Sequence, residues 1–270
     1  STPHWMKRLK RPNPINPIRP IGWAARGRVC RWPTAKPAAP RRRALGEFTC
    51  YGRKARTTYD LLNHLLSAGI DVVWRKRTVD QLDPQPGWRI LDLATGTGDL
   101  GFEVTSRGDI DVTGADVSVG MLRYGCAKER SKQSGLRFLA GDAEGLPFPD
   151  AAFNGVTIGF GIRNVAELRR GLAEIYRVLK PEGRFAVLEF SKPTAPIFRG
   201  IYFLYFKYIL PSIGKLVSRD PKAYTYLYES VMLFPDGEAF CGHLREAGFG
   251  LVTQTRLTFG IVSIYFAQKS

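Results

Sequence analysis

The chain has 270 residues, of which 44% are hydrophobic and 24% are charged, and this ordinary globular composition excludes a chain that is disordered throughout. Its 40 Lys and Arg residues outnumber its 24 Asp and Glu residues, which gives a net charge of +16. Residues 1–46 hold 12 of the basic residues and no acidic ones, so residues 47–270 carry a net charge of only +4. No stretch reaches the roughly 18 consecutive apolar residues of a membrane span.

From residue 89 onwards, short apolar runs alternate with helix-like stretches. Alternation of this kind, with short turns, is typical of a doubly wound α/β sheet with mostly parallel strands. The last two strands flank the turn Thr258-Phe259-Gly260 and predict a hairpin on that sheet. In chain order, we predict a strand at Arg89–Leu93, a helix ending near Ser106, a strand at Asp111–Asp116, a helix capped by Ser118 and running towards Ser134, strands at Arg137–Ala140 and Gly155–Phe160, a helix at Val165–Leu179 closed by residues 180–183, a strand at Arg184–Phe190, a helix near Glu238–Ala247, and strands at Leu251–Leu257 and Ile261–Ala267.

The first part of the chain has a different composition. Residues 1–46 contain eight prolines and have no helical or alternating apolar period. A transit peptide, a basic arm for nucleic acid or anionic lipid, and an unstructured or wrongly translated leader are three interpretations of this segment. We predict a basic, Pro-rich, unstructured leader at residues 1–56 and one folded domain at residues 57–270.

The four cysteines are far apart in the chain and form no CxxC pair. A disulfide scaffold and a metal site are therefore not expected, and reduced thiols indicate a cytoplasmic protein. The four positions are Cys30, Cys50, Cys126 and Cys241.

A glycine-rich loop follows the first predicted strand. The sequence GTGDLG at residues 96–101 matches the pattern G-x-G-x-x-G, which is typical of dinucleotide sites. A pyrophosphate is attracted by the N-terminus of a helix, but the carboxylates of Asp92 and Asp99 would repel it here. Two carboxylates favour a ligand with positive charge, such as S-adenosylmethionine (AdoMet), which has a sulfonium and an ammonium group. An ordinary helix-start charge for Asp99 and a buried capping role for Asp92 are the alternatives.

Two further acidic positions follow the next strands. Asp116 closes the second strand, where a carboxylate can accept hydrogen bonds from both hydroxyls of a ribose. Gly141-Asp142-Ala143 follows the third strand at the same edge of the predicted sheet, where an adenine can be bound. Together with the loop, these positions favour AdoMet over a dinucleotide.

The chain contains FGIRN at residues 160–164 and LEFSKP at residues 188–193. Together with several other stretches, these motifs resemble the ubiquinone/menaquinone biosynthesis C-methyltransferases. The motif RVLKPEG is common among class I methyltransferases, whereas FGIRN followed by LEFSKP is more specific. The resemblance extends from Tyr59 to about Lys269. The stretches that carry it are YDLLNHLLSAGID (59–71), WRKRTV (74–79), LDLATGTGDL (91–100), GDAEGLPFPD (141–150), TIGFGIRNV (157–165), RVLKPEGRFAVLEFSKP (177–193) and LTFGIVSIY (257–265).

The resemblance implies a class I AdoMet-dependent methyltransferase with a Rossmann-like, mostly parallel seven-stranded sheet. It also implies methylation of a ring carbon on a prenylated quinol. The ending LTFGIVSIY is similar to the menaquinone branch, which implies conversion of demethylmenaquinol to menaquinol; methylation of 2-methoxy-6-polyprenyl-1,4-benzoquinol is the alternative. Carried over by position, the AdoMet contacts are Thr97, Asp116, Asp142, Ala143 and Gly159, and the loop analysis adds Asp92, Gly96 and Gly98.

Arg163, Asn164 and Tyr59 are the predicted catalytic residues. Arg163 and Asn164 follow a predicted strand at the edge where such sheets bind ligands. Because an arginine stays protonated, Arg163 is a poor base, and its better role is to hold the phenolate oxygen, with Asn164 as a further donor. A structural salt bridge is the alternative for Arg163. Tyr59 and His64 can cover the pocket; a histidine has a suitable pKa for a base, but a helix-surface position is the alternative for His64.

The predicted partner is the prenylated quinol. The aromatic run Ile201–Leu210 predicts either a lid helix or a membrane contact. Peripheral association with the inner face of the membrane is therefore one alternative. A homodimer is another possible arrangement. No nucleic acid is expected, because residues 47–270 have no recognisable nucleic-acid-binding motif. A basic nucleic-acid-binding protein with a vestigial cofactor fold remains the alternative from another class.

Overall fold

The computed structural model describes residues 69–193, Gly200 and residues 222–270. The predicted leader, Tyr59, His64 and the aromatic run Ile201–Leu210 lie outside the described residues. Within the described part, no helix is both long and apolar enough to cross a bilayer, and no three His, Cys, Asp or Glu side chains come together as a metal site.

Seven strands form one sheet in the spatial order β3-β2-β1-β4-β5-β7-β6. The first five in that order pair in parallel, and β7 pairs antiparallel with both β5 and β6. This confirms the mostly parallel seven-stranded α/β fold and the C-terminal hairpin. The strands are β1 (Arg89–Leu93), β2 (Asp111–Asp116), β3 (Arg137–Ala140), β4 (Phe153–Gly159), β5 (Leu179–Phe190), β6 (Phe249–Leu257) and β7 (Val262–Lys269).

Six helices and two single turns of 3₁₀-helix accompany the sheet in the described residues. Ser118 caps α3 as predicted, because its hydroxyl accepts the backbone N–H of Met121 at 3.5 Å. The helices are α1 (Ile70–Leu82), α2 (Asp99–Thr105), α3 (Val119–Lys132), α4 (Leu168–Val178), α5 (Lys222–Leu233) and α6 (Glu238–Glu246), and the 3₁₀ turns are Ile162–Asn164 and Thr258–Gly260.

The boundary between α4 and β5 differs from the prediction. Helix α4 begins three residues late, because Val165 has an extended backbone after the 3₁₀ turn. Strand β5 begins at Leu179, which pairs with Phe153 before the register shifts. The segment 180–183 is therefore an irregular part of the strand and not the end of a helix.

Successive side chains of β1 point to opposite faces of the sheet and therefore lie in two different hydrophobic cores. Leu91 and Leu93 pack on the side of the sheet that α4 covers, whereas Ile90 packs on the side of α1 and α2. Asp92 occupies the same face as Ile90 and is fully buried. A charged group thus lies in an apolar layer directly below the start of α2.

Candidate active site

The carboxyl ends of the parallel strands bring the predicted site residues to one edge of the sheet. The chain runs outward from β1 to β2 and β3 on one side, and it returns to β4 and β5 on the other. The switch point of the sheet therefore lies between β1 and β4, where ligands bind in open α/β sheets. The glycine loop follows β1, Asp116 ends β2, and the segment that contains Arg163 and Asn164 follows β4.

The glycine loop turns through several left-handed backbone conformations. Ala94, Gly96 and Gly98 have φ angles of 53°, 58° and 91°. A Cβ atom on Gly98 would also come within 2.8 Å of the Phe138 ring, so position 98 requires glycine for both conformation and space. The loop is thereby held close against the sheet at the N-terminus of α2.

Asp92 lies beneath this loop and has no exposed surface. Its Oδ2 accepts the Thr95 hydroxyl at 2.5 Å and the Gly101 N–H at 3.0 Å, and its Oδ1 accepts the Thr157 hydroxyl at 2.8 Å. Burial raises the pKa of Asp92 to about 6, although these three hydrogen bonds oppose the shift. Asp92 thus connects the glycine loop, α2 and β4 through its hydrogen bonds.

Asp116 reaches back to the glycine loop from the end of β2. Its Oδ2 accepts the backbone N–H of Gly96 at 2.8 Å, and its Oδ1 accepts that of Ser118 at 2.7 Å. Burial raises the pKa of Asp116, and the two hydrogen bonds oppose that shift. Because a carboxylate has about four acceptor positions, each oxygen has capacity for one more donor, such as a ribose hydroxyl. The donor set therefore fits the nucleoside part of AdoMet.

The carboxylate of Asp99 at the start of α2 is paired with a lysine. Lys128 Nζ donates to Asp99 Oδ1 at 2.9 Å and to the Thr97 hydroxyl at 2.7 Å. The negative charge that the sequence places at Asp99 is thus offset, while the carboxylate of Asp92 is enclosed by protein. Of the carboxylates of Asp92, Asp99 and Asp116, only that of Asp116 has a geometry that supports AdoMet binding.

The remaining predicted cofactor residues lie at the same edge. The N–H of Gly141 donates to the Asp116 carbonyl at 3.1 Å, which places Asp142 and Ala143 beside the end of β2. Asp142 is exposed, and its Oδ1 accepts the Glu144 N–H at 3.0 Å. A Cβ atom on Gly159 would lie 3.2 Å from a Leu100 methyl, so the end of β4 closely approaches α2.

Arg163 forms an ion pair that the side chains around it bury. Its Nη1 donates to Glu189 Oε1 and to the Phe160 carbonyl, both at 2.6 Å. The side chains of Arg163 and Glu189 are 2% and 0% exposed. The guanidinium also lies 5.5 Å from the centre of the Phe190 ring, within cation–π distance. Sequence reasoning missed Glu189, although an acidic residue inside the apolar run RFAVLEF was a usable signal.

Asn164 is exposed and bonds to a residue that sequence reasoning also missed. The Tyr226 hydroxyl donates to Asn164 Oδ1 at 3.0 Å across 62 residues of sequence. Tyr226 lies on α5, which packs against the 3₁₀ turn that contains Asn164. Nothing in the local sequence distinguishes Tyr226 from its neighbours Tyr224 and Tyr228.

An aromatic cluster extends from the same edge. The ring centres of Phe160 and Phe190 are 4.6 Å apart, and Trp74 lies 6.2 Å from Phe160. The Trp74 indole N–H donates to the Thr258 hydroxyl at 2.8 Å, which ties α1 to the turn between β6 and β7. The cluster places apolar surface next to Arg163.

The glycine loop and the segment that contains Arg163 are in close contact. A Cβ atom on Gly161 would lie 2.5 Å from the Cβ of Ala94. Groups held by the two segments are thus neighbours, which is the requirement for a transfer reaction between two bound molecules.

A comparison of sequences then assigns the family. Residues 52–269 match the profile of the ubiE/COQ5 methyltransferase family. The chain belongs to this family. Demethylmenaquinone methyltransferases of Corynebacterium kroppenstedtii and Thermus thermophilus are 43% and 46% identical to it, over 82% and 78% of this chain and 92% and 96% of theirs. A ubiquinone/menaquinone biosynthesis C-methyltransferase of Yersinia pestis is 44% identical, over 77% of this chain and 84% of its own.

Solved structures agree with this ubiE/COQ5 assignment at the level of the fold. An Aquifex aeolicus SAM-dependent methyltransferase is similar with a TM-score of 0.54 and 18% identity, over 73% of this chain and 89% of its own. A complex of the Haloferax volcanii Trm112 methyltransferase activator with a methyltransferase contains a chain that matches with a TM-score of 0.56 and 18% identity, over 75% and 92% of the two chains. The family and the fold identify this chain as an AdoMet-dependent methyltransferase.

Proposed function

We propose that the protein methylates a ring carbon of a prenylated naphthoquinol and converts demethylmenaquinol to menaquinol. The observation that carries this proposal is the 43–46% identity to relatives named demethylmenaquinone methyltransferase, over nearly their whole length. The aromatic cluster beside Arg163 supports it, because a flat apolar ring packs well against aromatic side chains.

AdoMet would be held by the loop after β1 and by the ends of β2, β3 and β4. When bound, it supplies a methyl group on a positively charged sulfonium. Asp116 would accept the ribose hydroxyls with its remaining acceptor capacity, and Asp92 would keep the loop in shape from below without exposing its carboxylate. The other residues that we propose to contact AdoMet are Gly96, Thr97, Gly98, Asp142, Ala143 and Gly159.

Asn164 and Arg163 would serve the acceptor ring in different ways. Asn164 is exposed and can donate its amide N–H groups to a ring oxygen. Arg163 is anchored to Glu189 and to the Phe160 carbonyl, so it would hold in place the segment that carries Asn164. We further propose that Tyr59 covers the acceptor.

The acceptor must be in its reduced form. A quinol ring, above all one ionised at a hydroxyl, is electron-rich and can act as a carbon nucleophile, whereas an oxidised quinone ring is electron-poor. The ring carbon would take the methyl group as the bond between that methyl group and sulfur breaks, S-adenosylhomocysteine would leave, and the same carbon would then lose its proton to water. The aromatic surroundings would exclude water, and the close contact of the two segments would bring the reactants together.

The test is a radiolabelled methyl transfer from AdoMet to demethylmenaquinone, with and without a chemical reductant. We expect labelled menaquinol and S-adenosylhomocysteine only when the reductant is present. A rate that increases with pH, as the quinol ionises, would agree with an ionised acceptor. Equal rates with oxidised and reduced rings would overturn the proposed chemistry.

Methylation of a methoxy-benzoquinol in ubiquinone biosynthesis is a second candidate. It is favoured by the 44% identity to the Yersinia pestis protein, whose name covers both quinones. A competition assay with equal concentrations of the two reduced rings separates the candidates. We expect the naphthoquinol to be preferred, and preference for the benzoquinol would move the protein to the ubiquinone branch.

We also propose a cytoplasmic protein that associates peripherally with the inner face of the membrane. The prenyl tail of the acceptor is stable only in a bilayer or along an apolar surface, so enzyme and bilayer must come close during catalysis. Sedimentation with lipid vesicles that contain or lack the prenylated quinol tests this. Binding that increases with the quinol supports the proposal, and no sedimentation in either case contradicts it.

A further inference from the structure

We propose that Tyr226 is a positioning residue that orients the amide of Asn164 towards the acceptor oxygen. This inference rests on the proposed function of Asn164 as a donor to the quinol. Its basis is the hydrogen bond from the Tyr226 hydroxyl to Asn164 Oδ1, which measures 3.0 Å.

The backbone around Asn164 is already fixed by other contacts. The N–H of Asn164 donates to the Gly161 carbonyl at 3.0 Å, and the neighbouring Arg163 is anchored to the buried Glu189. The side-chain amide of Asn164 is exposed, so rotation about its last bond would exchange the oxygen with the NH₂ group. That rotation decides whether a donor or an acceptor faces the substrate.

The Tyr226 hydroxyl donates to Asn164 Oδ1, and this arrangement leaves the NH₂ group of Asn164 to face the acceptor. An ionised quinol oxygen can only accept, so the NH₂ group of Asn164 must face it. Oδ1 then points the other way and needs a donor, which is the phenol of Tyr226. The three groups form one chain in which each hydrogen bond polarises the next. The opposite rotamer would turn a carbonyl oxygen towards a negatively charged substrate.

Tyr226 is suited to a clean test because it is 44% exposed. Loss of its hydroxyl in Tyr226→Phe leaves the ring in place and creates no buried cavity. We expect kcat to decrease about tenfold, the size of one hydrogen bond in free energy, with little change in KM for the quinol. The AdoMet dissociation constant and the melting temperature should stay at the wild-type values. Tyr124→Phe, which alters a 38% exposed tyrosine on α3, is the matched control and should leave kcat unchanged.

A double-mutant cycle separates positioning from a general structural effect. Asn164→Ala removes both ends of the amide, so adding Tyr226→Phe to it should lower kcat no further. Asn164→Asp still accepts from Tyr226 but cannot donate, and it should be at least as impaired as Asn164→Ala.

The outcomes distinguish this inference from the proposed function. Additive losses in the double variant, or wild-type kcat in Tyr226→Phe beside an impaired Asn164→Ala, would overturn the role of Tyr226 alone. Wild-type kcat in Asn164→Ala would overturn both roles. If the wild-type protein fails to methylate the reduced naphthoquinol, the proposed substrate is wrong, and the cycle is run with the benzoquinol.

Discussion

Asp116 at the end of β2 accepts the backbone N–H of Gly96, 20 residues earlier, at 2.8 Å. One carboxylate therefore shapes the loop after β1 and presents its remaining acceptor positions at the same point. If the loop binds AdoMet as we propose, this arrangement links its conformation to that binding.

Asp116→Ala should weaken AdoMet binding by about 1–3 kcal/mol, because polar partners are left without an acceptor. Isothermal calorimetry well below the melting temperature measures this directly. Asp150→Ala, which removes an 81% exposed carboxylate paired with Arg177, is the control and should bind AdoMet normally. Unchanged affinity in Asp116→Ala would contradict the assignment of the ribose site.

The stability of the protein should depend on pH through Asp92. Its pKa is raised from 3.8 to about 6, so between these values the folded protein holds a proton that the unfolded chain has lost. The free energy of unfolding therefore decreases as pH rises through this range and is lowest, as far as Asp92 is concerned, above about pH 6. Relative to Asp92→Asn, the wild type should lose up to about 3 kcal/mol between pH 4 and pH 7. Urea denaturation of both proteins at several pH values measures their free energies of unfolding. A difference between wild type and Asp92→Asn that does not change with pH would refute the prediction.

Glu189→Gln should destabilise the protein by about 3–5 kcal/mol, because it leaves the buried charge of Arg163 without its carboxylate. Glu246→Gln is the matched control, since Glu246 pairs with Arg169 on the surface and both side chains are more than half exposed. Surface pairs contribute little, so the control should unfold at nearly the wild-type urea concentration. Similar losses of unfolding free energy in both variants would show that the buried Arg163–Glu189 pair stabilises the protein no more than the surface pair does.

Arg163→Lys should lower turnover by about 10- to 100-fold, the range expected for a charged hydrogen bond. Lysine keeps the charge but loses the planar guanidinium that bonds Glu189 and packs on Phe190. AdoMet affinity should change much less, because Arg163 belongs to the segment after β4 and not to the glycine loop. Steady-state kinetics and calorimetry on the same preparation separate the two effects. Equal losses in turnover and affinity would assign Arg163 a purely structural role.

Deletion of residues 1–46 should leave the melting temperature and the AdoMet affinity unchanged, since this basic, Pro-rich segment has no apolar period with which to join a core. A melting temperature lower by several degrees would place the segment in the fold. The same variant tests the nucleic-acid alternative, because salt-dependent DNA binding that survives the deletion would favour it.

The positions of the first three strands were accessible from the sequence, although these strands differ in burial. β1 is almost entirely buried, whereas β3 lies at an edge of the sheet and has no buried residue. β1, β2 and β3 occupy the predicted residues, because each is a short segment with strand-forming residues between clear turn or helix signals. The start of β5 was not predictable, because Leu179 joins the strand only through its pairing with Phe153. That partner lies 26 residues earlier, beyond the reach of local sequence pattern.

The sequence by itself determined which residues reach the ligand-binding edge of the sheet, since strand ends and loops follow from the order of apolar runs and glycines. Asp116, Arg163 and Asn164 could all be placed there in this way. Only the tertiary structure decided what each side chain does at that edge. It buries Asp92 under the loop, and it brings partners to Arg163 and Asn164 from β5 and α5. The physical reason is that burial and hydrogen-bond direction depend on the atoms that surround a group in space, and these come from distant parts of the chain.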